Sequence, residues 1–143
     1  MHVDELLRNK GASVATVRPD ATVRVALHEL RRHNIGALVV SSDGNAIEGM
    51  LSERDVVRDL DVIGAAVLDA PVRSIMSDMV LTCSPSDTVE SLIAVMTTNR
   101  IRHVPVVTDD QLVGLVSIGD VVKTRMDELE NDRVALMNYI TAR

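Results

Sequence analysis

From Val23 the apolar positions fall at Val23, Ala26, Leu27 and Leu30, the i, i+3, i+4, i+7 spacing of an amphipathic helix that runs to about Asn34. Thr22 precedes it as an N-cap whose hydroxyl can satisfy a free backbone N–H. Gly36 breaks the pattern, and the unbroken run Ala37-Leu38-Val39-Val40 predicts a buried strand. Asp43-Gly44-Asn45 is a turn signal, and Ile47 to Leu51 predicts the returning strand of a hairpin. Glu53 to about Leu60 predicts a second helix. Upstream, Asp4 to Lys10 reads as a short helix stopped by Gly11, and Ser13 to Val17 as a short strand closed by Arg18-Pro19.

The same order then returns. Pro19-Asp20-Ala21-Thr22-Val23 becomes Pro85-Ser86-Asp87-Thr88-Val89. Gly49-Met50-Leu51-Ser52-Glu53-Arg54-Asp55 becomes Gly114-Leu115-Val116-Ser117-Ile118-Gly119-Asp120, and the alignment needs one gap, near Ala46. The second copy predicts a helical lead-in at Arg73 to Met76, a strand at Val80 to Cys83 and a helix at Val89 to Asn99. Strands at His103 to Val107 and Leu112 to Val116 follow, joined at Asp109-Asp110. A tandem repeat of this length buries its apolar face against its own copy, which puts equivalent sites at the seam. The copies are placed at residues 1–62 and 72–125. Residues 63–71 connect them; Asp61 to Pro71 is too apolar for a floppy linker and predicts a packed connection.

Residues 126–143 extend the last helix, which runs from Ile118 to about Ile140 with no Gly after Gly119 and no Pro. Met126, Leu129, Leu136 and Ile140 lie near one face, interrupted by Arg133. Two readings stay open: the helix docks on its own domain, or it meets another chain.

Composition narrows the chemistry. The 143 residues are 46% apolar and only 1% aromatic, with Tyr139 the sole ring, so the core is aliphatic. The net charge of −6 argues against nucleic acid, which needs a basic footprint, and the lack of aromatics argues against single-strand binding. One cysteine, Cys83, cannot form an internal disulfide and fits a reducing, cytoplasmic setting. No signal-peptide pattern opens the sequence, and no apolar run approaches the ~20 residues of a membrane span. His28 and His33 are not at the i, i+4 spacing of a helical metal pair, and no zinc-like cluster is present. Glu53 and Asp55 stand two apart on a helix and do not face each other, so they make no acid–base pair. No catalytic residue is expected.

Ser52-x-x-Asp55 and Ser117-x-x-Asp120 begin helices at strand ends. The spacing is that of a capping box, with the hydroxyl on the N3 amide and the N3 carboxylate reaching back. A carboxylate there can also chelate two ribose hydroxyls, beside helix N–H groups suited to phosphate. The spacing leaves both readings open, and Gly49 and Gly114 can serve close packing alone. Arg100, Arg102 and His103 precede the second-copy strand where the first copy has Asn34, Gly36 and Ala37. Arg100 reads as a solvated helix end, whereas Arg102 with His103 suits a phosphate. Arg54, opposite Gly119, partly offsets the difference. Pro105 replaces Val39 and removes a strand N–H, which places it at an edge or facing the cleft.

With both blocks at matched distances, and with Ile101-Arg102-His103-Val104-Pro105-Val106, the chain resembles a tandem pair of CBS domains, the Bateman module, of the stand-alone bacterial type. The resemblance covers about Asp4 to Arg125. It implies an α/β (α+β) fold of two β-α-β-β-α repeats packed sheet to sheet in pseudo-twofold symmetry, here with an extended C-terminal helix. It implies two clefts that take adenosine-containing molecules, AMP, ADP, ATP or NAD(H), and further pairing into a homodimer. By resemblance Asp55 and Asp120 hold ribose, Ser52 and Ser117 contact ribose or phosphate, and Thr16 and Thr82 touch base or ribose. Gly36, Leu38, Arg54, Arg102, His103, Val104, Pro105 and Ile118 complete the candidate set, with adenine reading backbone groups around Leu38 or Val104. The expected role is a regulator that senses energy or redox state and acts on an unknown protein in trans. The alternative is a non-sensing dimerisation module whose blocks only cap helices.

Overall fold

The computed structural model describes residues 1–142. Helix α1 (Val3–Lys10) leads to strand β1 (Thr16–Val17), helix α2 (Val23–His33), strands β2 (Ala37–Val40) and β3 (Gly49–Ser52) and helix α3 (Glu53–Ile63). Two 3-10 turns, Ala65–Asp69 and Val72–Ser74, connect to helix α4 (Val89–Asn99), strands β4 (His103–Thr108) and β5 (Gln111–Ser117) and helix α5 (Ile118–Thr141). In the first copy β1 pairs parallel with β2, and β2 antiparallel with β3. In the second, β4 and β5 form an antiparallel pair. Thr22 and Thr88 cap α2 and α4 through their hydroxyls, which accept from the amides of Val25 and Ser91.

Each copy has its own aliphatic core, and each core is completed by chain from before the other copy's first strand. Val3, Leu6 and Leu7 of α1 are buried with Val89, Leu92, Met96, Val104 and Val116 of the second copy. Val67 of the connection, and Val72 and Ile75 just after it, are buried with Val23, Leu30, Leu38 and Leu51 of the first. The backbone repeats the exchange bond for bond. Val3 N–H donates to Asp87 O and Val89 N–H to Met1 O. Correspondingly, Val72 N–H donates to Ala21 O and Val23 N–H to Ala70 O. The connection is packed, as its composition implies: Val67 is fully buried.

Three expectations change in detail. The first strand is two residues long, not five. The strand expected at Val80 to Cys83 does not form, and a single parallel bridge joins Cys83 to Val106. The reason is Pro105, which stands where Val39 pairs with Thr16 and has no N–H to extend the parallel ladder. The third concerns α5. Val121 is buried and Glu128 half-buried, but every described residue from Leu129 onward is exposed. At 1.5 Å per residue the free part is about 21 Å long. Met126, Leu129, Leu136 and Ile140 therefore do not dock on their own domain.

Candidate ligand-binding cleft

Both Ser-x-x-Asp blocks fold as complete capping boxes. The Ser52 amide donates to Asp55 Oδ2 at 2.9 Å, and the Asp55 amide to Ser52 Oγ at 3.2 Å. Ser117 and Asp120 repeat these bonds at the same two distances. Each block enters its helix from a strand whose glycine is tightly covered. A Cβ on Gly49 would lie 2.7 Å from Met76 Sδ and 2.8 Å from the Ser77 carbonyl oxygen; one on Gly114 would lie 2.7 Å from Leu7 Cδ1. The glycines thus let the exchanged lead-ins lie flat on β3 and β5. Capping leaves ligand capacity, because an ionised carboxylate has about four acceptor positions, of which Ser52 occupies two on Asp55 and Ser117 one on Asp120.

Both blocks open into one cleft of about 740 Å³, within the range of small-molecule sites. Both lead-ins line it: Met79, Val80 and Leu81 of the second, and Lys10 of the first, which bonds Asp120. Its apolar walls include Ile35, Met50, Leu81, Ile101, Leu115 and Ile118. Its cations are Lys10, Arg54, Arg100 and Arg102, against the carboxylates Glu53, Asp55 and Asp120. Four against three makes the cleft locally positive in a chain of net charge −6. A smaller recess of about 470 Å³ lies behind Lys10, Ile35 and Leu115, which line both spaces.

The structure brings Gly36, Ser52, Arg54, Asp55, Arg102, His103, Ser117, Ile118 and Asp120 together in the main cleft. Thr16 lines the recess instead, and Thr82 is exposed and lines neither. Leu38, Val104 and Pro105 are buried in their strands and form no wall of either space; the Pro105 carbonyl accepts the Cys83 amide. Arg100 lines the cleft from a left-handed position, φ 53°, at the end of α4. Asn34 ends α2 the same way, and asparagine tolerates that conformation better than arginine does. Lys10, Glu53, Met50 and Leu115 were not expected in the site. Lys10 carries no sequence signal for it, since it meets Asp120 across 110 positions.

Two groups in the cleft are shifted. Burial, then the Arg102 charge, push the His103 imidazole below its ordinary value, against weaker pulls from Asp120 and Glu53. Its Cε1 lies 3.5 Å from the place a Cβ on Gly36 would occupy, so it sits at the seam between copies. For Asp120, burial works to raise the carboxyl, but the Lys10 bond, the Ser117 amide and the Lys10 charge outweigh it and hold it below the usual value. Elsewhere, burial first and the Asp87 charge second push the Cys83 thiol up to about 12, which leaves it a protonated core residue. Among the described residues, no group of His, Cys, Asp and Glu is placed to hold a metal ion, and no helix is long and apolar enough to cross a membrane.

The model of the CBS domain matches this architecture twice, over residues 5–61 and 72–127. The chain belongs to the CBS-domain family. The second match ends where α5 leaves its own domain. The CBS domain-containing protein CBSX3, mitochondrial, of Arabidopsis thaliana is 35% identical, over 96% of this chain and 71% of its own. The CBS domain-containing protein YhcV of Bacillus subtilis is 33% identical over 87% of each chain. The crystal structure of the CBS-domain containing protein ATU1752 from Agrobacterium tumefaciens matches with a TM-score of 0.84 at 41% identity, over 87% of this chain and 99% of that one. The expected pair of CBS repeats is thus borne out.

Proposed function

We propose that this CBS pair is a regulatory module that takes an adenosine-containing ligand, AMP, ADP, ATP or NAD(H), in the cleft between its repeats and acts on a partner protein in trans. One observation carries the reading: two ribose-competent carboxylates, Asp55 and Asp120, open into a single locally cationic cleft of nucleotide size. The aliphatic walls accept an adenine, the arginines suit phosphates, and the carboxylates suit ribose hydroxyls. The module works as a cytoplasmic homodimer. In support, α3 leaves Val57, Val62 and Ile63 more than half exposed, and α5 leaves Met126, Leu136 and Tyr139 so.

The complete capping boxes favour a second reading, in which the module only dimerises and the blocks only cap. Thermal unfolding with AMP, ADP, ATP, NAD and NADH separates the two. A nucleotide at one hundred times its Kd raises stability by ~2.7 kcal/mol. No shift with any of the five rejects the sensor and leaves the dimerisation module.

A further inference from the structure

The two carboxylates of the cleft are not held alike, and the difference is Lys10. This residue ends α1, and its ammonium donates to Asp120 Oδ2 at 2.6 Å and to the Leu115 carbonyl oxygen at 2.7 Å. The same Asp120 oxygen also accepts the Ser117 amide, so cap and ammonium load one atom. Asp55 has no ammonium on it; its Oδ2 accepts the Ser52 amide and the Ser52 hydroxyl. Lys10 lies three residues beyond Leu7, which covers Gly114; three residues beyond Met76, which covers Gly49, stands Met79, 89% exposed. The cation near Asp55 is Arg58, one turn on in the same helix, at 3.3 Å with 58% of its side chain exposed. That contact is longer than the Lys10 bond, and its arginine end is exposed while Asp55 is 14% exposed. Lys10 is two-thirds covered and doubly anchored. It also stands in the wall that separates the main cleft from the recess holding Thr16.

We propose that Lys10 is a tethered cation that closes the Asp120 half of the cleft and sets the ligand count at one nucleotide per chain, bound at Asp55. This rests on the nucleotide reading above. A ribose diol reaching Asp120 must displace an ammonium at 2.6 Å, whose Coulombic attraction for the carboxylate a neutral hydroxyl does not supply. At Asp55 the diol meets the Ser52 hydroxyl at 3.1 Å and the longer Arg58 contact at 3.3 Å. The exchange of lead-ins makes the control intramolecular, since α1 precedes the first copy yet guards the block of the second.

Calorimetric titration of the full chain with AMP, ATP and NAD, each in turn, tests it. Wild type is expected to bind one molecule per chain. Lys10→Met, which installs the residue of the other lead-in, is expected to gain a second event at least tenfold tighter than any in wild type. Lys10→Met with Asp120→Asn is expected to lose it again. Lys10→Gln serves the same purpose if the methionine variant does not fold. Two equal events in wild type, or no second event in either Lys10 variant while wild type binds one, overturns the role of Lys10 and leaves the nucleotide reading intact. No binding of the three nucleotides to wild type or variants overturns both.

Discussion

Leu7, near the end of α1, lies against Gly114 on β5, so closely that a Cβ on the glycine would fall 2.7 Å from Leu7 Cδ1. Met76 stands in the same relation to Gly49, but there a backbone oxygen, that of Ser77, is also within 2.8 Å. Leu7 can turn at its flexible end, whereas the Ser77 carbonyl is held by its pairing with Met50. Gly49→Ala is therefore expected to cost more than Gly114→Ala. Overpacking of this sort costs about 1–3 kcal/mol, with Gly49→Ala at the upper end. Urea unfolding of the two variants decides the order, and equal midpoints would contradict it.

Leu6 gives the exchange of lead-ins a separate test. It is buried among residues of the second copy although it precedes the first. Leu6→Ala is expected to lower stability by about 2–5 kcal/mol. Hydrogen exchange should quicken first in 83–121, not in β1 to β3. Faster exchange confined to the first copy would show that α1 serves its neighbours in sequence.

Asp55 discriminates between capping and binding. Asp55→Ala is expected to weaken AMP, ATP or NAD binding at least tenfold, about 1.4 kcal/mol. It is also expected to lower stability by about 0.5–2 kcal/mol through the lost cap. Calorimetry and thermal unfolding of the same sample separate the two losses. Unchanged affinity with a lowered midpoint leaves capping as the whole role of the block.

What the sequence made legible was local. The periodicity of Val23 to Leu30 and the caps Thr22 and Thr88 depend on near neighbours, and the structure has them as read. The capping boxes, four residues each, were equally visible. The missing strand at Val80 to Cys83 was an error of context, because Pro105, the cause, lies over twenty positions away. Lys10 at Asp120 and Leu7 on Gly114 join places more than a hundred residues apart, where no periodicity reports. The residues read as a ligand set came together where they belong to the blocks or the seam. Thr82 fell away because its strand did not form, and Leu38, Val104 and Pro105 because their strands bury them.

His103 gives the cleft a pH dependence with a defined sign. Burial and Arg102 lower its pKa in the fold, so between the ordinary value near 6.5 and the folded value the unfolded chain binds more protons. Its contribution to stability without ligand is thus complete above about pH 6.5 and falls as pH drops toward the folded value. A bound phosphate favours the protonated ring and opposes the charges of Arg102 and Lys10 that lower it. Affinity for ATP should therefore rise from pH 8 to pH 6, and His103→Gln should flatten the rise. A flat profile in wild type, or the same slope in the variant, would place the phosphates elsewhere.

The last expectation concerns assembly. Beyond Glu128 every described residue of α5 is exposed, and Leu129, Leu136, Tyr139 and Ile140 are each more than half exposed along it. Glu128 itself pairs with Arg125, so a chain ending at Glu128 keeps the last anchored turn. If the free turns carry the contact between two chains, truncation after Glu128 should weaken the dimer at least tenfold while nucleotide affinity and the fold are retained. Light scattering across a concentration series reads this directly. A dimer that survives truncation moves the interface to the apolar residues of α3, Val57, Val62 and Ile63. The full chain remaining a monomer at high micromolar concentration, with and without nucleotide, removes the homodimer altogether.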